Sequence, residues 1–371
     1  MDFNFSDDQQ ALRDAVAKWV EKSYDFERRQ KIVAAGGFDR SVYNELAELG
    51  LTGICVAEDF GGMGMGPVEA MVVLEELGSG LVLEPLTQAF VCSAVIGAYG
   101  SADAKAAWLP KIASGEALVV LAQQERKARY RLDVCEAKAT KSGAGYAVTA
   151  LKNIVPAGDQ ADAFIVTALL DGKLALFLVE RGAPGVSTRG HLTQDESRAA
   201  DVKLADAPAT LITTEGLAAL TYANDVGIAC ACAEGVGVMQ KFLAMTVDYM
   251  NQRKQFGVTI ATFQALRHRV ADMKMQLELA RSMSYYATLR LGADEADRRQ
   301  ALSRAKVQLG QSMRYVGQQG VQLHGGIGVT DEYAGSHYFK KLTQLEMTWG
   351  DTLHHLGEVS ERMTETAGVF A

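Results

Sequence analysis

Two stretches of the chain carry residue types that handle a phosphate-bearing ligand. The first is Gln252-Arg253-Lys254-Gln255-Phe256-Gly257, followed by Ala261-Thr262-Phe263-Gln264 and then His268. It sets a guanidinium at the end of a helix, just ahead of a glycine turn, and that rigid fork of donors matches pyrophosphate oxygens. The second is Gln322-Leu323-His324-Gly325-Gly326-Ile327-Gly328, a glycine-rich turn between helices. There, backbone N–H groups can approach a ligand closely. Each stretch alone also fits a plain structural role, as a helix C-terminal stop or a chain reversal. Together, between long amphipathic helices, they describe a nucleotide site built across helix ends.

Those helices are legible around the motifs. Thr221 to Gln252, Thr262 to Leu291, Asp294 to His324 and Leu353 to Thr366 place apolar residues at three- and four-residue steps, which predicts a four-helix bundle with short connections. The N-terminal block reads as helical too. Ser6-Asp7-Asp8-Gln9 is an N-cap with an acidic first turn, followed by Leu12, Val16, Trp19 and Val20. Val42, Leu46 and Leu49 repeat the spacing, Gly53 to Gly66 is a glycine-rich loop, and Val68 to Leu77 restarts a helix. Between these blocks the texture changes to short apolar runs: Leu118 to Ala122, Tyr146 to Thr149, Ala163 to Ala168, Leu174 to Val179 and Asp201 to Leu204. Asp171-Gly172 between two of them is a hairpin signal. The expected fold is α+β, mainly α. It comprises an N-terminal helical domain over 1–116, a central antiparallel β-barrel over 117–212 and a C-terminal four-helix bundle over 213–371. No βαβ unit with a glycine fingerprint appears, which argues against a doubly wound fold.

Composition narrows the function classes. A chain of 371 residues exceeds one comfortable core, and 48% hydrophobic with 22% charged residues is ordinary for a globular protein. A net charge of −8 without a basic run argues against a nucleic-acid partner. Cys55, Cys92, Cys135, Cys230 and Cys232 form no CxxC pair and no cluster with histidine, so no metal site is expected and the thiols read as reduced. The acidic N-terminus lacks an apolar signal core, and no uninterrupted run of 18 apolar residues predicts a membrane span. The expected location is cytoplasmic.

The paired motifs and the helix–barrel–helix order resemble the acyl-CoA dehydrogenase family along the whole chain. The resemblance implies FAD as cofactor, an acyl-CoA as substrate and an electron-transfer flavoprotein as the expected electron acceptor. Arg253 matches the family arginine that reaches the FAD pyrophosphate across a subunit interface, with Gln255 and Phe256 beside it. Gln322, Gly325 and Gly326 match the Gln-x-x-Gly-Gly segment that meets the adenosine-diphosphate half, again from a neighbouring subunit. At least a dimer is therefore implied. For His268, four residues from Gln264 on one helix face, a structural hydrogen bond is the simpler reading.

The reaction removes the α-hydrogen of the thioester as a proton while flavin N5 accepts the β-hydrogen as hydride. It needs a carboxylate base and hydrogen bonds to the thioester carbonyl. Most members hold a glutamate just before the last helix; the matching stretch here is Thr348-Trp349-Gly350-Asp351-Thr352, with Trp349 at that position. Others hold it early in the first bundle helix, where this chain has Gly227. Asp351, Asp225 (matching an aspartate near substrate in some members) and Glu234 are the substitutes within reach. Trp349 itself would pack on the isoalloxazine or fill the acyl cavity. The flavin- and substrate-binding Thr-Glu-Pro segment reads Gln124-Glu125-Arg126-Lys127, keeping Glu125, and Trp-Ile-Thr reads Ile154-Val155-Pro156. Pro156 has neither N–H nor hydroxyl to offer a flavin edge. The arginine near the pantetheine is replaced by Ile228. This pattern resembles the divergent small subunit of heteromeric acyl-CoA dehydrogenases of the pimeloyl and steroid-side-chain types. Two readings stand: an FAD-dependent acyl-CoA dehydrogenase with a displaced base, or a non-catalytic subunit completing FAD sites on a larger homologue, as a homo-oligomer or a heterotetramer respectively.

Overall fold

The computed structural model describes residues 5–143 and 145–366. In chain order the elements are α1 (Asp7–Ser23), α2 (Phe26–Ala34), α3 (Arg40–Glu48), α4 (Pro67–Ser79), α5 (Leu86–Tyr99) and α6 (Ala102–Ala113). Seven strands follow: β1 (Val119–Ala122), β2 (Lys138–Ser142), β3 (Gly145–Pro156), β4 (Ala163–Leu170), β5 (Lys173–Glu180), β6 (Val186–Leu192) and β7 (Arg198–Thr213). Then come α7 (Gly216–Gln252), a hairpin of β8 (Lys254–Gln255) and β9 (Val258–Thr259), α8 (Gln264–Arg290), α9 (Glu295–His324), α10 (Ala334–Met347) and α11 (Thr352–Thr366). The chain divides into two compact units. One holds residues 1–29, 67–82 and 228–371, the other residues 30–66 and 83–227.

The first unit is helical. Ser6 caps α1 in a capping box: its side chain accepts from the Gln9 amide while the Gln9 side chain accepts from the Ser6 amide. The core is long and continuous, built on Met239, Phe242, Met273, Leu277, Leu309, Met313 and Leu342, all essentially inaccessible. The short helix α10 is an addition to the four helices that periodicity predicts. Its buried face includes Gly335, Ser336 and His337, small and polar residues that leave little apolar rhythm to detect. By length and composition α7 could cross a membrane, but 83% of its most apolar window is buried within the protein, as in a core helix.

The second unit contains the barrel. Strand pairings run β2–β3–β7–β5–β4 and return from β4 to β2, closing the sheet, while β6 adds to β7 and β1 to β4. Most pairs are antiparallel as expected; β1–β4 and β2–β4 are parallel. Asp171 and Gly172 form the two-residue turn between β4 and β5, both left-handed at φ 51° and 79°, as a type I′ hairpin requires. Strand β3 breaks the usual polarity rule. Its inward positions run Val148, Ala150 and then Lys152, which is fully buried, while Leu151 lies 54% exposed. The period of two fixes that register, so the lysine needs an internal anion.

Candidate nucleotide and base segments

At the end of α7 the backbone of Arg253 is held from both sides. Its N–H donates to Tyr249 O at 2.8 Å and its carbonyl accepts from Ile260 N at 2.8 Å, while the residue itself is exposed. Gln255 pairs with Val258 across the hairpin. The turn between them is Phe256-Gly257, both at positive φ (55° and 81°). A bulky residue at the first left-handed position is unusual. Phe256 is also 90% exposed, its ring edge-on to Phe263 at 6.1 Å. The hairpin therefore presents an aromatic ring and a guanidinium outward from a pinned base. Gln264 and His268 lie exposed on the following helix α8.

At the end of α9 the chain turns on Gly325, at φ 65° and ψ −141°. Gly326 differs: its φ is not positive, and a Cβ there would meet nothing within 4 Å among the described residues. Gly328, two residues on, is packed inward, where a Cβ would lie 2.8 Å from Val321 O and 3.0 Å from His324 Cβ. The fold thus requires glycine at 325 for conformation and at 328 for packing, and leaves the backbone at 326 open to solvent. Gln322 is exposed beside it. Immediately before the turn, His324 is buried, a participant that reading the glycines alone passes over.

The segment aligned with the usual base is built differently. Trp349 and Gly350 take φ of 62° and 105° between α10 and α11. Trp349 packs, half-buried, against the helical core. Asp351 caps α11: its Oδ1 accepts from His354 N at 2.8 Å and its carbonyl from His355 N at 3.1 Å. Beneath the loop lies a buried polar cluster. Lys306 Nζ donates to the carbonyls of Leu345 (2.9 Å) and Glu346 (2.8 Å) at the end of α10. Glu346 Oε1 accepts from the Thr352 amide (3.0 Å) and hydroxyl (2.6 Å). His355 Nε2 donates to Trp349 O at 2.9 Å. Burial pulls the Lys306 ammonium down to about 8, against the opposing pull of Cys232, Glu346 and Asp351. Burial, helped by the Lys306 charge, drives His355 down to about 3. These groups fix the loop from below, and they were invisible in the sequence because three elements deliver them.

The remaining candidate acids are engaged or enclosed. Asp225, in the N-terminal part of α7 that belongs to the second unit, is fully buried, and Gly227 follows two residues later. Glu234 pairs with Lys341 Nζ at 2.6 Å. Glu125 answers the buried lysine of β3: its Oε1 accepts from Lys152 Nζ at 2.5 Å, and Oε2 from Glu136 N at 2.6 Å. Lys152 also donates to Thr167 Oγ1 at 2.8 Å. Burial alone would raise the Glu125 carboxyl; the lysine and the backbone amides outweigh it and hold the group below the usual range. Counting by twos from Val148 would have found Lys152 in the sequence. The same pairing brings the two expected flavin-edge segments together, since Asn153 N donates to Gln124 O at 2.8 Å. Next to it, Ile154 stands 55% exposed at φ 52°, a strained conformation for a β-branched side chain, with Pro156 two residues on.

Residues 6–116 match the model for the acyl-CoA dehydrogenase N-terminal domain, and residues 214–364 that for its C-terminal domain. The chain belongs to the acyl-CoA dehydrogenase family. It is 31% identical over 356 residues to the acyl-CoA dehydrogenase FadE12 of Mycobacterium tuberculosis, covering 88% of each chain. Among solved structures it resembles a variant of the Tcur3481-Tcur3483 steroid ACAD (TM-score 0.90, 27% identity, covering 97% of this chain and 99% of that one). It also resembles a chain from a structure of the electron transferring flavoprotein of Acidaminococcus fermentans (TM-score 0.91, 26% identity, covering 98% and 99%). Acyl-CoA dehydrogenases are FAD flavoproteins.

FAD can be tested against the residues present. At the diphosphate end they fit: an exposed guanidinium on a pinned backbone, an exposed ring, and a glycine amide open to approach. At the ring end the donors are poorer, since Ile154 and Pro156 offer no side-chain hydrogen bond and Pro156 no N–H.

Proposed function

We propose that this chain is a cofactor-supporting subunit of a heteromeric acyl-CoA dehydrogenase, completing FAD sites on a larger homologous subunit. The observation that carries the reading is the contrast within the chain itself. Arg253, Phe256 and Gln322 are exposed, whereas the acids at or near the expected base positions have structural duties or are enclosed: Asp351 as a helix cap, Glu234 in an ion pair, Asp225 fully buried. The resemblance to a structure named for two proteins, Tcur3481 and Tcur3483, agrees with it. Bound FAD supplies the hydride acceptor for forming an α,β-double bond in an acyl-CoA thioester. In this assignment Arg253, the Gly326 backbone and Phe256 are the residues that would hold the pyrophosphate end of FAD, the guanidinium supplying positive charge to it. An electron-transfer flavoprotein is the proposed electron acceptor, and the cytoplasm the proposed location.

The second reading keeps the chain self-sufficient, with Asp351 as the base. It is favoured by one fact: Asp351 is half-buried in the loop that replaces the glutamate segment. The flavin absorbance of the purified protein, alone and after mixing with a larger homologue encoded nearby, separates the two. The first reading expects little flavin alone and full flavin in the mixture. Full flavin that an acyl-CoA bleaches anaerobically without a partner would establish the second.

A further inference from the structure

The glycine turn after α9 is braced by a histidine. His324 is 3% exposed and its imidazole is satisfied at both nitrogens. Nδ1 lies 2.8 Å from Gly320 O, an acceptor only, so Nδ1 carries a proton and donates. Nε2 lies 2.8 Å from the Tyr333 hydroxyl, which donates to it when the ring is neutral. Gly320 is one turn back on α9, and Tyr333 is the residue just before α10. The two bonds therefore tie together both ends of the segment 325–332 that contains the open glycines. Aromatic rings fix the imidazole plane: Phe242 stacks at 5.8 Å, Tyr249 lies at 4.6 Å and Tyr333 at 5.0 Å.

We propose that His324 is the positioning residue of the nucleotide turn, holding Gly325 and Gly326 in their open geometry through its bond from Tyr333. The inference rests on the assignment of that turn to FAD. His324 makes no contact with the ligand in this account; it acts through the backbone. In the neutral ring Nε2 accepts the tyrosine proton; a protonated Nε2–H would donate to the phenol oxygen instead, so the tie to Tyr333 is available in either form. Burial holds His324 below the ordinary histidine range, which keeps the neutral form in place. The polar groups facing it are the phenols of Tyr249 and Tyr333, with Asp248 near Tyr333, and Tyr338 beyond Phe242.

The test is FAD affinity of the full-length protein in its purified assembly, by fluorescence titration at neutral pH. Tyr333→Phe keeps the ring and removes the donor; His324→Asn keeps the Gly320 bond and removes the acceptor. Each is expected to weaken FAD binding about three- to tenfold, the effect of one neutral hydrogen bond. The two together should do no more than either alone. His324→Gln returns an acceptor near the Nε2 position and should recover most of the affinity. If His324→Asn does not fold, Tyr333→Phe decides. Equal affinities in wild type and Tyr333→Phe overturn the inference alone. A wild-type assembly that takes up no FAD overturns it together with the turn's assignment.

Discussion

The α9–α10 and α10–α11 junctions of the helical unit both turn on glycine, and they use it for opposite ends. At Gly326 a Cβ would touch nothing within 4 Å; at Gly350 it would lie 2.5 Å from His355 Nε2 and 2.7 Å from His354 Cδ2. The first glycine leaves room outside the protein. The second leaves room for the protein itself, which fills it with the rings of His355 and His354. An open loop and a self-packed loop are thus distinguished by what the missing methyl would meet among the described residues. The family's nucleotide segment is of the first kind here, and the segment that should carry the base is of the second.

Substitutions at the two junctions should separate on different axes. Gly350→Ala has the largest effect, since it combines a left-handed backbone with a buried clash. We expect about 3 kcal/mol lost in urea unfolding. A loss near zero would mean the loop is not packed as described. Arg253→Ala should leave unfolding within about 0.5 kcal/mol and weaken FAD by about 1.5–3 kcal/mol, the loss of a charge-assisted contact. Unchanged flavin content would remove Arg253 from the site.

Acid should act through the closed junction. His355 is held down to about 3 when folded and titrates near 6.5 when unfolded, so the unfolded chain binds the extra proton between those values. The His355 contribution is therefore complete above about 6.5 and falls as pH drops below it, by up to about 1.4 kcal/mol per pH unit. Unfolding midpoints at pH 7, 6 and 5 measure this, and His355→Asn should flatten the slope. An equal slope in that variant would place the proton elsewhere. The smallest effect belongs to Gly326→Ala: folding unchanged, and FAD binding weaker by about 1 kcal/mol through lost backbone approach. Unaltered FAD binding would erase the contrast between the junctions.

Much of this organisation was readable from local chemistry. The Ser6 cap, the Asp171-Gly172 turn and the long helices were visible because each is decided by neighbours in sequence. Helix α10 and strands β2 and β6 were not. In β2 the burial alternates over only one inward residue, Ala139, among lysines, threonine and serine, and β6 has no fully buried position. The motifs drew attention to two exposed segments, yet not to what holds them: His324 sits inside the quoted motif, and its bond from Tyr333 is set by the turn's folded path. Lys306, Glu346 and His355 come from three different helices, and only the folded core makes them neighbours. Lys152 with Glu125 is the intermediate case, implied by strand period but resolved only once the barrel closes.

The central claim is that this acyl-CoA dehydrogenase family member supports a cofactor site without supplying its base. Steady-state turnover of a panel of acyl-CoA thioesters by the purified chain alone, with a ferrocenium acceptor and added FAD, tests it most directly. The account predicts rates depressed by roughly 10²–10⁴ relative to an enzyme with a placed base, restored when the larger homologue is added. Turnover of about 1–10³ per second without any partner would contradict it.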